Sequence, residues 1–120
     1  QHVLPPAGAG NTFGTAVAVS DAVLVVGAPG KFTIGSAYVY EWRSGQWVFA
    51  TELRPPELLN FDGFGTSVAV DGDTIVVGAP GDDTVRDATG AVTQTITNKG
   101  AAYVFRRTAS GWTQEARLDQ

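Results

Sequence analysis

The sequence contains no cysteine. Disulfides, thiol nucleophiles and thiolate zinc sites are therefore excluded, while the compartment stays open. The single histidine, His2, lies in a Pro/Gly-rich N-terminal stretch, and none of Ser20, Ser36, Ser44, Ser67 or Ser110 has a histidine beside it in the pattern, which argues against a Ser-His-Asp relay. Basic residues are few. Eight Lys and Arg against twelve Asp and Glu leave a net charge of −4, the wrong sign for gripping nucleic-acid phosphates or an anionic membrane surface. No apolar run approaches the roughly 20 residues of a membrane helix, and Gln1-His2-Val3-Leu4-Pro5-Pro6 has neither the basic start nor the apolar centre of a signal peptide. The chain is expected to be soluble, as a mature form or as a piece of a longer protein. No segment carries a 3.6-residue apolar period, and there is no Arg-Gly-Asp and no Asn-x-Ser/Thr acceptor.

What the chain does contain is one stretch written twice. FGTAVAVSDAVLVVGAPG (residues 13–30) recurs as FGTSVAVDGDTIVVGAPG (residues 64–81) at a constant offset of 51. Each copy opens with Phe-Gly-Thr, crosses a Val/Ala-rich run, turns, crosses a second Val-rich run and closes with Gly-Ala-Pro-Gly. The apolar runs do not alternate with polar residues, so they predict inner strands covered on both faces. In the first copy the strands are predicted over 13–19 and 23–28, with Pro29 ending the second because it cannot donate to a ladder. A third strand over 36–42 is rich in aromatic and branched residues. A fourth over 46–53 places Trp47, Phe49, Thr51 and Leu53 on one face by simple alternation.

The second copy repeats the plan over 64–70, 74–79, 101–106 and 112–118, and simple alternation there places Trp112, Gln114, Ala116 and Leu118 together. Its last two strands match the first copy at an offset of 65, so 14 extra residues fall between Gly81 and Gly100. This Thr/Asp/Gly-rich stretch reads as an exposed loop with room for a small hairpin. The division is then a connection over 1–12, one unit over 13–56, and a second over 57–120 with an insertion over 82–99. Two repeated four-stranded antiparallel meanders predict an all-β fold of two propeller blades. A β-sandwich is the alternative, since eight short strands would also serve it, but a duplicated meander is expected only of blades.

The pairs Phe13-Gly14 with Gly27-Ala28-Pro29, and Phe64-Gly65 with Gly78-Ala79-Pro80, together with Tyr38-Val39-Tyr40 and Tyr103-Val104-Phe105, resemble the FG-GAP repeat. The resemblance runs from about residue 13 to 119 and implies an integrin-α-like propeller, found also in bacterial extracellular proteins, that serves binding or adhesion at a cell surface and not catalysis. On this reading the Phe rings wedge between neighbouring blades, and the small residues allow close approach of backbone. The Gly-rich segments are not phosphate loops, for no Lys-Ser/Thr follows and no helix supplies an N-terminus.

Many family members carry an Asp-rich calcium loop between the first two strands. Here Ser20-Asp21-Ala22 and Asp71-Gly72-Asp73 are tight turns, too short to wrap an ion that takes six to eight oxygens. The remaining acidic cluster, Asp82, Asp83 and Asp87, reads either as a solvated loop or as a weak calcium or ligand site; no other cofactor is expected. Carboxylates such as Asp73 and Asp83 form no pair that spacing singles out for glycoside hydrolysis. Trp47 and Trp112 recur at equivalent positions and read as packing. Trp42 has Arg107 as its counterpart and is the candidate for a ligand, glycan included. Two blades leave two apolar outer faces, larger than a soluble monomer usually exposes. Further blades are expected to cover them, from a longer parent chain or from head-to-tail homo-oligomerisation.

Overall fold

The computed structural model of the chain describes all residues except 11, 32–33, 57, 60, 83, 87–88, 90, 96–99 and 119–120, and describes 84–86 and 93–95 by backbone alone. The strands are β1 (Ala16–Ser20), β2 (Val23–Ala28), β3 (Ser36–Arg43), β4 (Gln46–Leu53), β5 (Ser67–Asp71), β6 (Thr74–Ala79), β7 (Thr84–Arg86), β8 (Val92–Thr95), β9 (Ala101–Thr108) and β10 (Gly111–Leu118). They form two antiparallel four-stranded sheets, β1-β2-β3-β4 and β5-β6-β9-β10, with β7-β8 as a separate hairpin inserted into the second. The fold is thus all-β, two propeller-type blades, and the 14-residue excess is the hairpin. Among the described residues no helix is long and apolar enough to cross a membrane.

Strand order follows from short connections. Asp21, at φ +47°, sits in the β1–β2 turn, and Ser44-Gly45 make the β3–β4 turn in left-handed conformation, at φ +51° and +84°. Such turns match the twist of the strands they join. Burial on both faces, expected of the Val-rich runs in both copies, is met only in β2, where Leu24 alone is partly exposed; β6 is fully buried on one face alone, and β1 and β5, at the edges of their sheets, alternate between half-buried and exposed residues.

Two details depart from simple alternation. The first strand of each blade begins at Ala16 and Ser67, after its Phe-Gly-Thr. In both copies that tripeptide is a tight turn, with Thr15 and Thr66 each donating a side-chain hydrogen bond to the carbonyl three residues back. The outer strands are bulged. Tyr40 pairs with Phe49 and Val39 with Thr51, so Ala50 is the extra residue of β4; Phe105 pairs with Gln114 and Val104 with Ala116, so Glu115 is that of β10. A bulge sends the residues on either side of it to opposite faces. Trp47 and Phe49 therefore do not share a face with Thr51 and Leu53, nor Trp112 and Gln114 with Ala116 and Leu118. Phe49 packs edge-on against Tyr40, whereas Leu53 belongs to the core on the other side of the sheet.

The main core lies between the blades. It joins Val23, Val25, Ala37, Val39 and Leu53 of the first to Phe64, Ile75, Val77, Tyr103 and Phe105 of the second. A smaller cluster on the outer face of the first blade gathers Val26, Ala28, Tyr38 and Tyr40 under Ala9, with Val3 and Phe13 packed against it. The N-terminal segment covers this face in part. Gln1 extends the β4 edge by exchanging two hydrogen bonds with the Trp47 backbone, at 3.1 and 2.9 Å, and Tyr40 donates to the Leu4 carbonyl.

Candidate functional site at the inter-blade seam

The repeated residues meet at the seam. Phe64 is fully buried, its ring edge-on to Tyr103 and Phe105 of its own blade, and it packs in the same cluster as Val25 and Val39 of the other. Its backbone N–H donates to the Ile34 carbonyl, and Gly35 and Phe64 form a parallel bridge. The chain passes so close here that a β-carbon on Gly27 would collide with the Gly65 carbonyl, one on Gly35 with the Phe64 backbone, and one on Gly65 with the Ser36 carbonyl. Gly65 also holds φ +101°, a conformation that side chains strongly disfavour. Phe64 and Gly65 thus form a plug, and Gly27-Ala28 with Gly35-Ser36 form its socket. This is the wedge expected from the sequence.

Phe13 sits on its own blade in the same way, 5.6 Å from the Tyr38 ring and 6.4 Å from Tyr40. It is only half-buried.

Towards the outer strands the seam opens into a groove of about 480 Å³, lined by Glu41, Arg43, Phe49 and Thr51 from the first blade and Ser110 and Trp112 from the second. Glu41 is its charged centre. It accepts hydrogen bonds from Arg43 and, across the seam, from the Trp112 indole at 3.4 Å, and Arg107 stands 3.5 Å away. Burial opposes the ionised form of Glu41, but these donors and cations outweigh it and hold its pKa below the ordinary carboxylate range. Arg107 also lies over the Trp112 ring and pairs with Asp73. Reading the sequence singled out neither Glu41 nor Arg107. They lie 66 positions apart in the chain, and only their offset to the non-equivalent pair Arg106 and Trp42 marks them as places where the copies differ.

Each blade also holds an ion pair beneath its third-strand tyrosine, buried in the second blade and part-buried in the first. In the second, Asp82 is 1% exposed; it accepts from the Tyr103 hydroxyl at 2.6 Å and from Arg117 at 2.9 Å. Burial first, and then the Asp82 hydrogen bond, push the Tyr103 pKa well above its usual value. In the first, Lys31 pairs with Glu52 at 2.9 Å and lies over the Tyr38 ring, while Ser36 and Arg54 also donate to Glu52.

The other residues singled out from the sequence fall as follows. Of the acidic cluster, Asp82 is the buried partner of Arg117, while Asp83 and Asp87 lie outside the described residues. Among the described residues no three Asp, Glu or His side chains come together as a metal-binding group. Trp42 is 46% exposed, edge-on to Trp47 at 5.2 Å and next to the groove in sequence without lining it. Ala28 and Ala79 are buried, and Pro29 and Pro80 follow the ends of β2 and β6.

The family model described as the FG-GAP repeat matches residues 5–40 and again 47–105. No curated protein sequence is significantly similar to the chain.

Proposed function

The chain belongs to the FG-GAP repeat family, and on that premise we propose that it is a non-catalytic β-propeller interaction module, extracellular or at a bacterial cell surface, that binds a protein or glycan partner through its blade loops in adhesion. The observation that carries this reading is the division of labour between the copies. The residues they share serve packing, Phe64-Gly65 and Gly27-Ala28 at the seam and Phe13 on its own blade, whereas the largest difference between the copies is the β7–β8 hairpin, added to one blade and presenting Val92 about half exposed to solvent. Loops on a rigid scaffold are where binding concentrates.

The test is a trimmed variant in which residues 84–99 are replaced by a short Gly-Ser turn. Asp82 is kept, because Arg117 and Tyr103 depend on it. A pull-down and a glycan array with the parent chain identify the partner; the trimmed chain should keep its fold and lose it. Retained binding would move the site elsewhere.

A lectin-like module is the second reading. It is favoured by the aromatic surfaces exposed near the groove, Trp42 and Phe49, which are 46% and 45% exposed and could stack on sugar faces. On this reading Trp42→Ala abolishes glycan capture while the trimmed loop does not. A non-catalytic part of a larger secreted enzyme is a third setting for the same module. Calcium, if it binds at Asp82, Asp83 and Asp87, would rest on Asp83, Asp87 and loop carbonyls, since Asp82 already faces the Arg117 cation. Calorimetric titration with calcium alone, before and after chelation, tests this. Completion of the propeller calls for further blades, in a longer parent chain or by association of copies. Propellers hold roughly four to eight blades, so three copies of a two-blade chain give six and four give eight.

A further inference from the structure

The seam is built from two unlike halves, and the chain carries each half a second time at its outer faces, where the plug half is covered only in part, by the N-terminal segment. On the plug side Phe64 is fully buried, and Val68 and Val70 pack against the core. Their counterparts at offset 51 are Phe13, half-buried, and Val17 and Val19, which are 64% and 62% exposed. On the socket side Leu53 is 4% exposed, and its counterpart Leu118 is 56% exposed. Val25, Gly27, Ala37 and Val39 of the filled socket correspond to Val76, Gly78, Ala102 and Val104, all buried in the first set and only partly so in the second. The backbone tells the same story. A β-carbon on Gly27 would strike Gly65, the incoming plug, but at Gly78 it would meet only the Ser67 side chain of its own blade. At Gly35 it would strike Phe64, and at Gly100 nothing lies nearer than Pro80 at 3.5 Å. A shallow apolar hollow of about 130 Å³, lined by Ala69, Val70, Asp71, Thr74 and Val76, lies at the turn end of the socket.

We propose that a second copy of this chain fills that socket. Phe13-Gly14, Val17 and Val19 of one copy seat against Val76, Gly78, Ala102 and Val104 of the next, in the manner of Phe64-Gly65 within the chain. The contact is heterologous, so copies add head to tail and stop only when a ring closes.

The polar edge of the seam supports this occupant. Within the chain Glu41 faces Arg107 and Trp112. Between copies the equivalent positions bring Arg106 opposite Trp42 and Trp47. A cation over aromatic faces replaces an ion pair, so the contact remains complementary. Arg106 now pairs with Glu115 at the surface, both about half exposed; such a pair contributes little and leaves the guanidinium face available to stack. The same arrangement gives exposed Trp42 a partner. Asp21 and Asp71 also come together, both at exposed turns, where solvent screens their repulsion.

The inference rests on the propeller reading above but has its own test. Mass is measured by light scattering on the chain itself over a concentration series, beside two variants. In one the plug is blocked (Val17→Asp with Val19→Asp), and in the other the socket is blocked (Ala102→Arg). Circular dichroism and melting verify the fold of each, and Val104→Lys replaces the socket variant if it unfolds. The parent chain is expected to form a defined oligomer, and each variant a monomer. An equimolar mixture of the two variants keeps one intact plug and one intact socket, so it should give a one-to-one dimer and nothing larger. Arg106→Glu should weaken self-association several-fold to about thirty-fold and remove the change in tryptophan fluorescence that accompanies it. A folded parent chain that stays monomeric at high concentration would overturn the proposal and assign the faces to further blades of a longer chain. So would a mixture that fails to pair. Either outcome leaves the binding module itself to be judged by the loop-trimming experiment.

Discussion

Asp82 and Arg117 stand 2.9 Å apart at the two positions where the first blade has Lys31 and Glu52, so one ion pair, buried in the second blade and part-buried in the first, occurs twice with its polarity reversed. In each blade the cation lies over the same tyrosine, Arg117 over Tyr103 and Lys31 over Tyr38. The geometry of the repeat is kept while the charges exchange places. A pair can invert this way because what burial demands is neutrality at the site and not a particular sign at a particular position.

Charge reversal at one member should therefore be costly and reversal at both nearly harmless. Arg117→Glu leaves two anions buried together and is expected to lower stability by about 3–5 kcal/mol; Asp82→Lys should behave similarly. The double variant copies the polarity of the first blade and is expected to recover most of the loss. A double-mutant cycle by urea denaturation measures the coupling, and singles whose effects merely add would show that the pair does not act as a unit.

The two phenylalanines of the repeat should not be equivalent. Phe64→Ala opens a cavity at the seam and is expected to cost about 3–5 kcal/mol. Phe13→Ala, at a half-buried site, should cost roughly half as much or less. Equal losses for the two, measured on dissociated chains, would mean that the seam is not the main core.

Acid should loosen the seam. In Glu41 and Glu52 burial favours the neutral form, but hydrogen bonds and neighbouring cations outweigh it, and both folded pKa values are depressed. Their stabilisation is complete above the ordinary carboxylate range and is lost as pH falls through the depressed values. Stability from urea curves should decline below about pH 4.5, and Glu41→Gln should flatten that decline while lowering the plateau.

At the alkaline end the sign is opposite. Burial raises the pKa of Tyr103 and, with the charge of Tyr38, that of Tyr40. These hydroxyls stabilise the fold fully below the ordinary tyrosine value of about 10, and the contribution is lost as pH climbs through the raised values. Phenolate absorbance of the folded chain should lag behind that of the chain in urea, with Tyr103 appearing only as the protein unfolds. Ordinary titration of both Tyr40 and Tyr103 in the folded chain would contradict this.

The sequence by itself determined a good deal: the number of blades, the strand order, room for a hairpin in the insertion, and a role for Phe-Gly and the small residues in close packing between blades. Each of these is carried by a pattern that is local or strictly repeated, such as Val-rich runs, left-handed turns and a fixed offset. Only the tertiary structure decided the rest. The bulges at Ala50 and Glu115 turn half of each outer strand over, because pairing between strands, and not alternation within one, sets which face a residue takes. Asp82 looked like part of a solvated acidic loop until folding brought Arg117 against it from 35 residues away. Glu41, Arg107 and Trp112 become a site only where two blades meet, since no local pattern records which residues of distant strands will share a seam.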